Sequence, residues 1–170
     1  KNNVMNKMRD GIAGLMKKYK VDVIEGEAKL LPNSQVEING ETHEATDILL
    51  CTGSSPAIPP IPGVDLNHVV DSTGILERET LPNHLVVVGG GVIGCEFACM
   101  YASVGIQVTV LEAMAEICPN LDAEVSETLR EGLSKKGVAF KLGAKVESIS
   151  SDKVSYSDES GSNELEADLV

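Results

Sequence analysis

No two cysteines in this chain stand in C-x-x-C spacing, and basic residues are outnumbered nearly two to one by acidic ones. No apolar run approaches the roughly 18 residues that a membrane span needs. Each absence excludes something. Without C-x-x-C spacing, Cys51, Cys95, Cys99 and Cys118 offer neither a zinc-type cluster nor a thioredoxin-type dithiol, so no metal site is expected. Cys95 and Cys99, four apart on an expected helix beside Ala98 and Ala102, read as small packing residues or, alternatively, as a redox pair. Reduced thiols fit a cytoplasmic protein. A net charge of −12 disfavours nucleic acid as a partner, because phosphates would be repelled, and more plainly supplies solubility. The N-terminus, Lys1-Asn2-Asn3-Val4-Met5-Asn6-Lys7, has no apolar stretch of the kind a secretory signal carries, and no membrane association is expected. It also lacks an initial Met, which suggests a chain taken from a longer protein.

What is present is a globular composition, 42% hydrophobic and 24% charged, in which the hydrophobic period changes along the chain. Met5, Met8, Ile12, Leu15 and Met16 fall at three- and four-residue steps and predict a helix over Val4–Tyr19, weakened by Gly11 and Gly14. Val21-Asp22-Val23-Ile24 is strand-like. Val36–Ile38 alternates before the turn pair Asn39-Gly40, and Thr42–Thr46 with Ile48-Leu49-Leu50-Cys51 completes a small antiparallel set. Thr52–Gly63 carries four prolines and predicts a stiff extended crossover. The expected division is 1–63, a linker over 64–84 with a short helix capped by Ser72, and 85–170.

Beyond the linker the rhythm is strand (Leu85–Val88), helix (Val92–Val104), strand (Gln107–Leu111), then a helix from Asp122 to Lys136 stopped by Gly137. Val138–Leu142, Lys145–Ile149 and Lys153–Tyr156 read as further strands, and 157–166 as a solvated hairpin tip. Strands alternating with helices predict an α/β fold, a Rossmann-like parallel sheet with crossover helices, preceded by the antiparallel β segment and the first helix.

Gly89-Gly90-Gly91-Val92-Ile93-Gly94 satisfies G-x-G-x-x-G, a weak signal by itself. Its context sharpens it: the loop follows a strand, opens a helix, and the next strand ends in Glu112, 21 positions after Gly91. Gly89 permits the turn, Gly91 lets the backbone approach a pyrophosphate, and Gly94 lets the helix pack close to the sheet. The amides at the helix start would face the phosphates. Glu112 would accept hydrogen bonds from the adenosine ribose and repel a 2′-phosphate, and no Arg or Lys in Ala113–Asn120 offsets it. The expected ligand is NAD(H), although such a loop can equally hold FAD.

Ile48–Pro56, Pro59-Pro60-Ile61-Pro62-Gly63, Leu81-Pro82 and Val86–Glu96 resemble the flavin-dependent pyridine nucleotide–disulfide oxidoreductases (class I), and the similarity runs through nearly the whole chain in one register. Within that family the branch that oxidises dihydrolipoamide matches best. The branches that reduce mercuric ion or glutathione, or that exchange hydride between nicotinamide nucleotides, share the architecture. The resemblance implies part of an FAD domain followed by most of an NAD domain. It places Ala28, Thr52, Gly53 and Ser54 near FAD, although Thr-Gly-Ser is also an ordinary turn. Gly89, Gly90, Gly91, Val92, Ile93, Gly94, Cys95, Glu96, Glu112 and Val146 then belong to the NAD side. Val146 could equally be a buried strand residue, and Glu96 a solvated first-turn acid favoured by the helix dipole.

The resemblance further implies a lipoyl-bearing protein of a 2-oxoacid dehydrogenase or glycine cleavage complex as partner, and a homodimeric parent. A non-catalytic NAD-sensing module stands as the reading from another class. The family's redox cysteine pair, its N-terminal glycine fingerprint and its C-terminal His–Glu pair have no counterpart here. His43, His68 and His84 fall in expected turns or linkers, so no catalytic residue is assigned.

Overall fold

Apolar residues at helical spacing wind Asn2–Lys18 into helix α1 in the computed structural model, which describes residues 1–170. Lys17 and Lys18 lie in its last turn, where cations complement the exposed carbonyl end. Lys20, in left-handed backbone (φ 54°), ends it, and Val21 N–H closes on Met16 O at 2.9 Å. Gly11 and Gly14 do not break the helix, and a Cβ at either would meet nothing within 4 Å. Gly14→Ala is therefore expected to stabilise α1 by about 0.5–1 kcal/mol, read as increased helical circular dichroism. An unchanged signal would show that α1 is limited by something other than backbone entropy.

The chain forms two compact units, Lys1–Gly53 and Ser54–Val170. In the first, β1 (Ala28–Leu31), β2 (Gln35–Ile38) and β3 (Glu41–Glu44) make an antiparallel sheet in that order. Asn39 (φ 53°) and Gly40 (φ 84°) form the two-residue turn between β2 and β3, which pairs Ile38 with Glu41. Two expected strands are absent. Val21–Ile24 and Ile48–Cys51 have no regular structure and stay exposed, Leu49 at 86%. A strand needs a neighbour for its ladder, and β1–β3 pair only among themselves. His43, expected in a turn or linker, instead lies in β3.

In the second unit, Ile61, Val64, Val69, Val70 and Ile75 pack against the core, while residues 54–60 stay exposed. Ile149 N–H donates to Pro62 O at 2.8 Å, and a Cβ on Gly63 would stand 2.0 Å from Ile149 O. Helix α2 (Ser72–Glu77) is capped by Asp71, not by Ser72. Asp71 is the last extended residue, and its carboxylate accepts from Thr73 N–H (3.0 Å) and Gly74 N–H (2.8 Å).

Strands β4 (His84–Val88), β5 (Gln107–Glu112) and β6 (Val138–Leu142) form a parallel sheet in the order β4-β5-β6. Helices α3 (Val92–Ser103) and α4 (Ala123–Lys135) make the crossovers. Both faces of β4 and β5 are covered, whereas the edge strand β6 alternates more and less buried residues. Leu85, Val108 and Val110 pack with Cys95, Ala98 and Tyr101 of α3 and Leu133 of α4. Val86 and Leu111 turn to the other face, against Ile149, Val154 and Tyr156.

Those last residues belong to β7 (Lys145–Ile149), β8 (Lys153–Asp158) and β9 (Gly161–Glu166), an antiparallel meander. The solvated tip expected over 157–166 shrinks to Glu159-Ser160, because Gly161–Glu166 pairs fully with β8. The alternation of Asn163 and Leu165 with charged neighbours is half-buried strand, hidden in an acidic composition.

The last residues return to the parallel sheet. Leu169 bridges Leu85, and the Asp168 carboxylate accepts from Asn83 N–H, Asn83 Nδ2 and His84 N–H at 2.8–2.9 Å. Partial burial pushes the Asp168 carboxyl up, but these donors outweigh it and hold it below the usual carboxylate range. A depressed folded pKa stabilises above the unfolded value and is lost as pH falls through the folded one. Asp168→Asn should therefore lower Tm at neutral pH, and the difference from the parent chain should shrink as pH falls below about 4. A gap that persists at acid pH would mean that the charge plays no part.

Candidate functional site

The parallel sheet ends in a turn with little room for side chains. Gly89 leaves β4 with φ 106°, a left-handed conformation suited to glycine, and donates to Leu111 O at 2.8 Å. A Cβ on Gly94 would sit 2.2 Å from Gly89 O and 3.1 Å from Val87 Cγ1, so α3 rests directly on the turn. Ala98, fully buried one turn on, continues that close packing. Gly91 is the N-cap of α3 in extended backbone and faces open space, with nothing within 4 Å of its Cβ position.

The N–H groups of Gly91, Val92, Ile93 and Gly94 find no acceptor in the protein, and Cys95 N–H makes the first helical bond, to Gly91 O at 2.9 Å. These unpaired donors stand at the positive end of the helix dipole, an arrangement that binds an anion. They open on a cleft of about 1100 Å³ lined by Gly89, Gly91–Gly94 and Val86–Val88, with Ser54–Pro59 and the start of α2 opposite.

Glu112, the last residue of β5, is buried beside this turn. Its Oε2 accepts from Gly90 N–H at 2.6 Å and its Oε1 from Met114 N–H at 2.7 Å. Two charge-assisted bonds compensate its burial. Each oxygen keeps a further lone pair, so the carboxylate can accept from a sugar hydroxyl without releasing its backbone partners. A Cβ on Gly90 would stand 2.8 Å from Ile117 Cγ2 and 3.3 Å from Glu112, which leaves no slack at the centre of the turn.

The remaining expected site residues are more scattered. Cys95 is buried and turns its thiol to Gly90 O, away from the open side of Gly91. Glu96 is exposed on α3. Val146 is half-buried in β7 opposite Tyr156 and packs on the core between the two sheets. Nearby, Ala144 N–H donates to Glu112 O and Gly143 N–H to Met114 O, both at 2.9 Å, which ties the β6–β7 turn to the end of β5. Ala28 opens β1, while Thr52 and Gly53 are exposed and irregular; a groove in the first unit is lined by other residues, between Arg9 and Val23. Ser54 lines the cleft of the second unit. Neither unit by itself gathers these four into a flavin pocket.

Three contacts were invisible in the linear sequence. Arg130, on α4, reaches the loop after β5 and binds Glu116 through Nε at 2.9 and 3.0 Å. That hydrogen bond, somewhat opposed by desolvation, holds the Glu116 carboxyl below and the Arg130 guanidinium above their usual ranges. The loop that lacks any cation of its own thus receives one from a helix 14 residues on. His84, expected in the linker, opens β4, and its Nε2 lies 2.9 Å from Thr109 Oγ1 across the strands. Among the cysteines, Cys118 rather than Cys99 meets Cys95.

A dihydrolipoyl dehydrogenase of Acholeplasma laidlawii is 35% identical over 174 residues, covering 100% of this chain and 52% of the relative. Dihydrolipoyl dehydrogenase 3 of Pseudomonas aeruginosa is 44% identical over 143 residues, covering 80% of this chain and 30% of the relative. The chain thus spans about half, or less, of the curated relatives it matches. Among solved structures, the HOCl-induced flavoprotein disulfide reductase RclA of Escherichia coli superimposes with a TM-score of 0.80 at 34% identity, over 99% of this chain and 39% of that one. LpdA of Mycobacterium tuberculosis gives 0.81 at 27% identity, over 98% of this chain and 39% of that one. The family profile for pyridine nucleotide-disulphide oxidoreductases matches residues 2–170, and the chain belongs to that family.

Proposed function

We propose that residues 85–170 form the NAD(H)-binding portion of an FAD-dependent dihydrolipoyl dehydrogenase, and that residues 1–63 belong to its flavin domain. The observation that carries the nucleotide half is the juxtaposition at one sheet end of four unpaired amides, an open Gly91 and an anchored Glu112. The amides of Gly91–Gly94 would bind the pyrophosphate, and the Glu112 carboxylate the adenosine ribose. A 2′-phosphate would meet the Glu112 charge at short range in a poorly solvated place, which favours NAD(H) over NADP(H). Val146 would line the adenine side, and Ala28, Thr52, Gly53 and Ser54 would contribute to the flavin site of the longer parent.

When bound, flavin and nicotinamide supply the two-electron chemistry; this chain's residues bind and orient. In the parent, the dithiol oxidised would be a dihydrolipoyl group on a protein of a 2-oxoacid dehydrogenase or glycine cleavage complex. The parent would be a cytoplasmic homodimer, and this chain alone would not catalyse the reaction. No helix is long and apolar enough to cross a membrane. Calorimetric titration of the chain with NADH and NADPH tests the nucleotide half: NADH should bind at least about tenfold tighter, the equivalent of about 1.4 kcal/mol. Equal affinities, or a preference for NADPH, would overturn it.

A further inference from the structure

Two thiols from different segments converge beneath the glycine turn. Cys95, in the first turn of α3, and Cys118, in the loop after β5, both direct their sulfurs to the carbonyl oxygen of Gly90, at 3.4 and 3.5 Å. Cys118 N–H donates to the same oxygen at 2.9 Å. Both residues are buried, both are free thiols, and their sulfurs share one acceptor. Cys118 stands in left-handed backbone (φ 46°), a conformation that a residue with a side chain holds only where its surroundings compel it. Its bonds to Gly90 do so here.

We propose that Cys95 and Cys118 are an oxidisable dithiol site, converted by hydrogen peroxide to a disulfide that disables the glycine turn. The second half of this proposal rests on the nucleotide reading above. One sulfur attacks the O–O bond, taking one oxygen as S–OH and releasing water. The other sulfur then displaces that hydroxyl as a second water and closes the S–S bond. Two S–H bonds are lost, one S–S bond forms, and the peroxide is reduced to two waters.

The product would remove both S–H donors from Gly90 O and draw the loop onto α3, since an S–S bond is only about 2.05 Å long. Gly90 has no slack to absorb this, with Ile117 already filling its Cβ space and Glu112 holding its N–H. Burial, reinforced by Cys118 and Glu112, pushes the Cys95 thiol up to about 12, so Cys95 stays protonated in the closed structure and reacts slowly. Attack then requires the exposed loop around Ala113–Ala115 and Pro119–Leu121 to open. A nucleotide seated on the turn would resist that opening, so NADH should slow the oxidation, and the disulfide should weaken NADH binding in return.

The test treats the full chain with hydrogen peroxide and digests it without reduction, using a protease that cleaves after glutamate. Cuts at Glu96, Glu112 and Glu116 place Cys95, Cys99 and Cys118 on three separate peptides. The expected result is a Cys95–Cys118 linked pair, formed more slowly with NADH present. It should accompany a loss of NADH affinity of about tenfold or more, reversed by dithiothreitol. Cys118→Ser and Cys118→Ala should each keep whatever affinity they have after peroxide. The proposal fails if peroxide oxidises exposed Cys51 but leaves this pair unlinked, if Cys95 links to Cys99, or if the linked chain binds NADH undiminished. A reduced chain that never binds NADH, yet forms the link, refutes the nucleotide reading and leaves the dithiol site standing.

Discussion

Glu112→Gln is expected to weaken NADH binding by roughly ten- to a hundredfold and to narrow or abolish the preference over NADPH. The reason is the donor environment of the side chain. Both carboxylate oxygens accept backbone N–H groups, from Gly90 and Met114. An amide of the same shape must present its NH2 to one of those two donors, so one bond becomes a donor–donor contact and the other loses its charge assistance. Charge-assisted hydrogen bonds contribute about 1.5–3 kcal/mol each. The damage falls on Gly90, at the middle of the turn, as well as on the sugar. Calorimetry with both nucleotides reads the result. A variant that keeps the parent's NADH-to-NADPH ratio would show that the carboxylate charge does not select the nucleotide.

The second large effect separates two glycines that look equivalent in the motif. Gly91→Ala should leave Tm within a degree or two while reducing NADH affinity by about five- to a hundredfold. Its backbone is extended, and its new methyl would meet no protein atom within 4 Å, but would occupy the space over which a pyrophosphate would lie. Gly94→Ala should instead lower Tm by roughly 5–20 °C, because its methyl would strike Gly89 O and Val87. Helix α3 would have to lift from the sheet, at about 1–3 kcal/mol or more. Differential scanning calorimetry paired with nucleotide titration distinguishes the two. A destabilised Gly91→Ala chain with intact binding would reverse the roles assigned here.

Much of the second unit was legible from the sequence because its signals are local. A continuous apolar strand, a turn that needs a left-handed glycine and a helix start all lie within Leu85–Ser103, where short-range sterics dominate. Gly137, at φ 95°, marked the end of α4 for the same reason, whereas Asp122 stands at its N-cap without a side-chain cap bond. The errors arose where pairing decides. Ile48–Cys51 has the composition of a core strand, yet β1–β3 form no ladder with it. Gly161–Glu166 looked like solvent-exposed chain and is a strand, because β8 lies alongside it in register. Apolar composition reports a demand for burial, and hydrogen-bonded neighbours decide whether it is met.

The amino-acid order alone determined the βαβ unit, the place of its glycine turn and the acid at the end of the following strand, since backbone sterics and hydrophobic period act within a few residues. Only the tertiary structure decided that Glu112 grips the turn at Gly90, that Arg130 reaches Glu116 and that Cys118 rather than Cys99 meets Cys95. Those contacts join residues 14 to 23 positions apart. They depend on where loops close and in which register strands dock, and no local pattern encodes either.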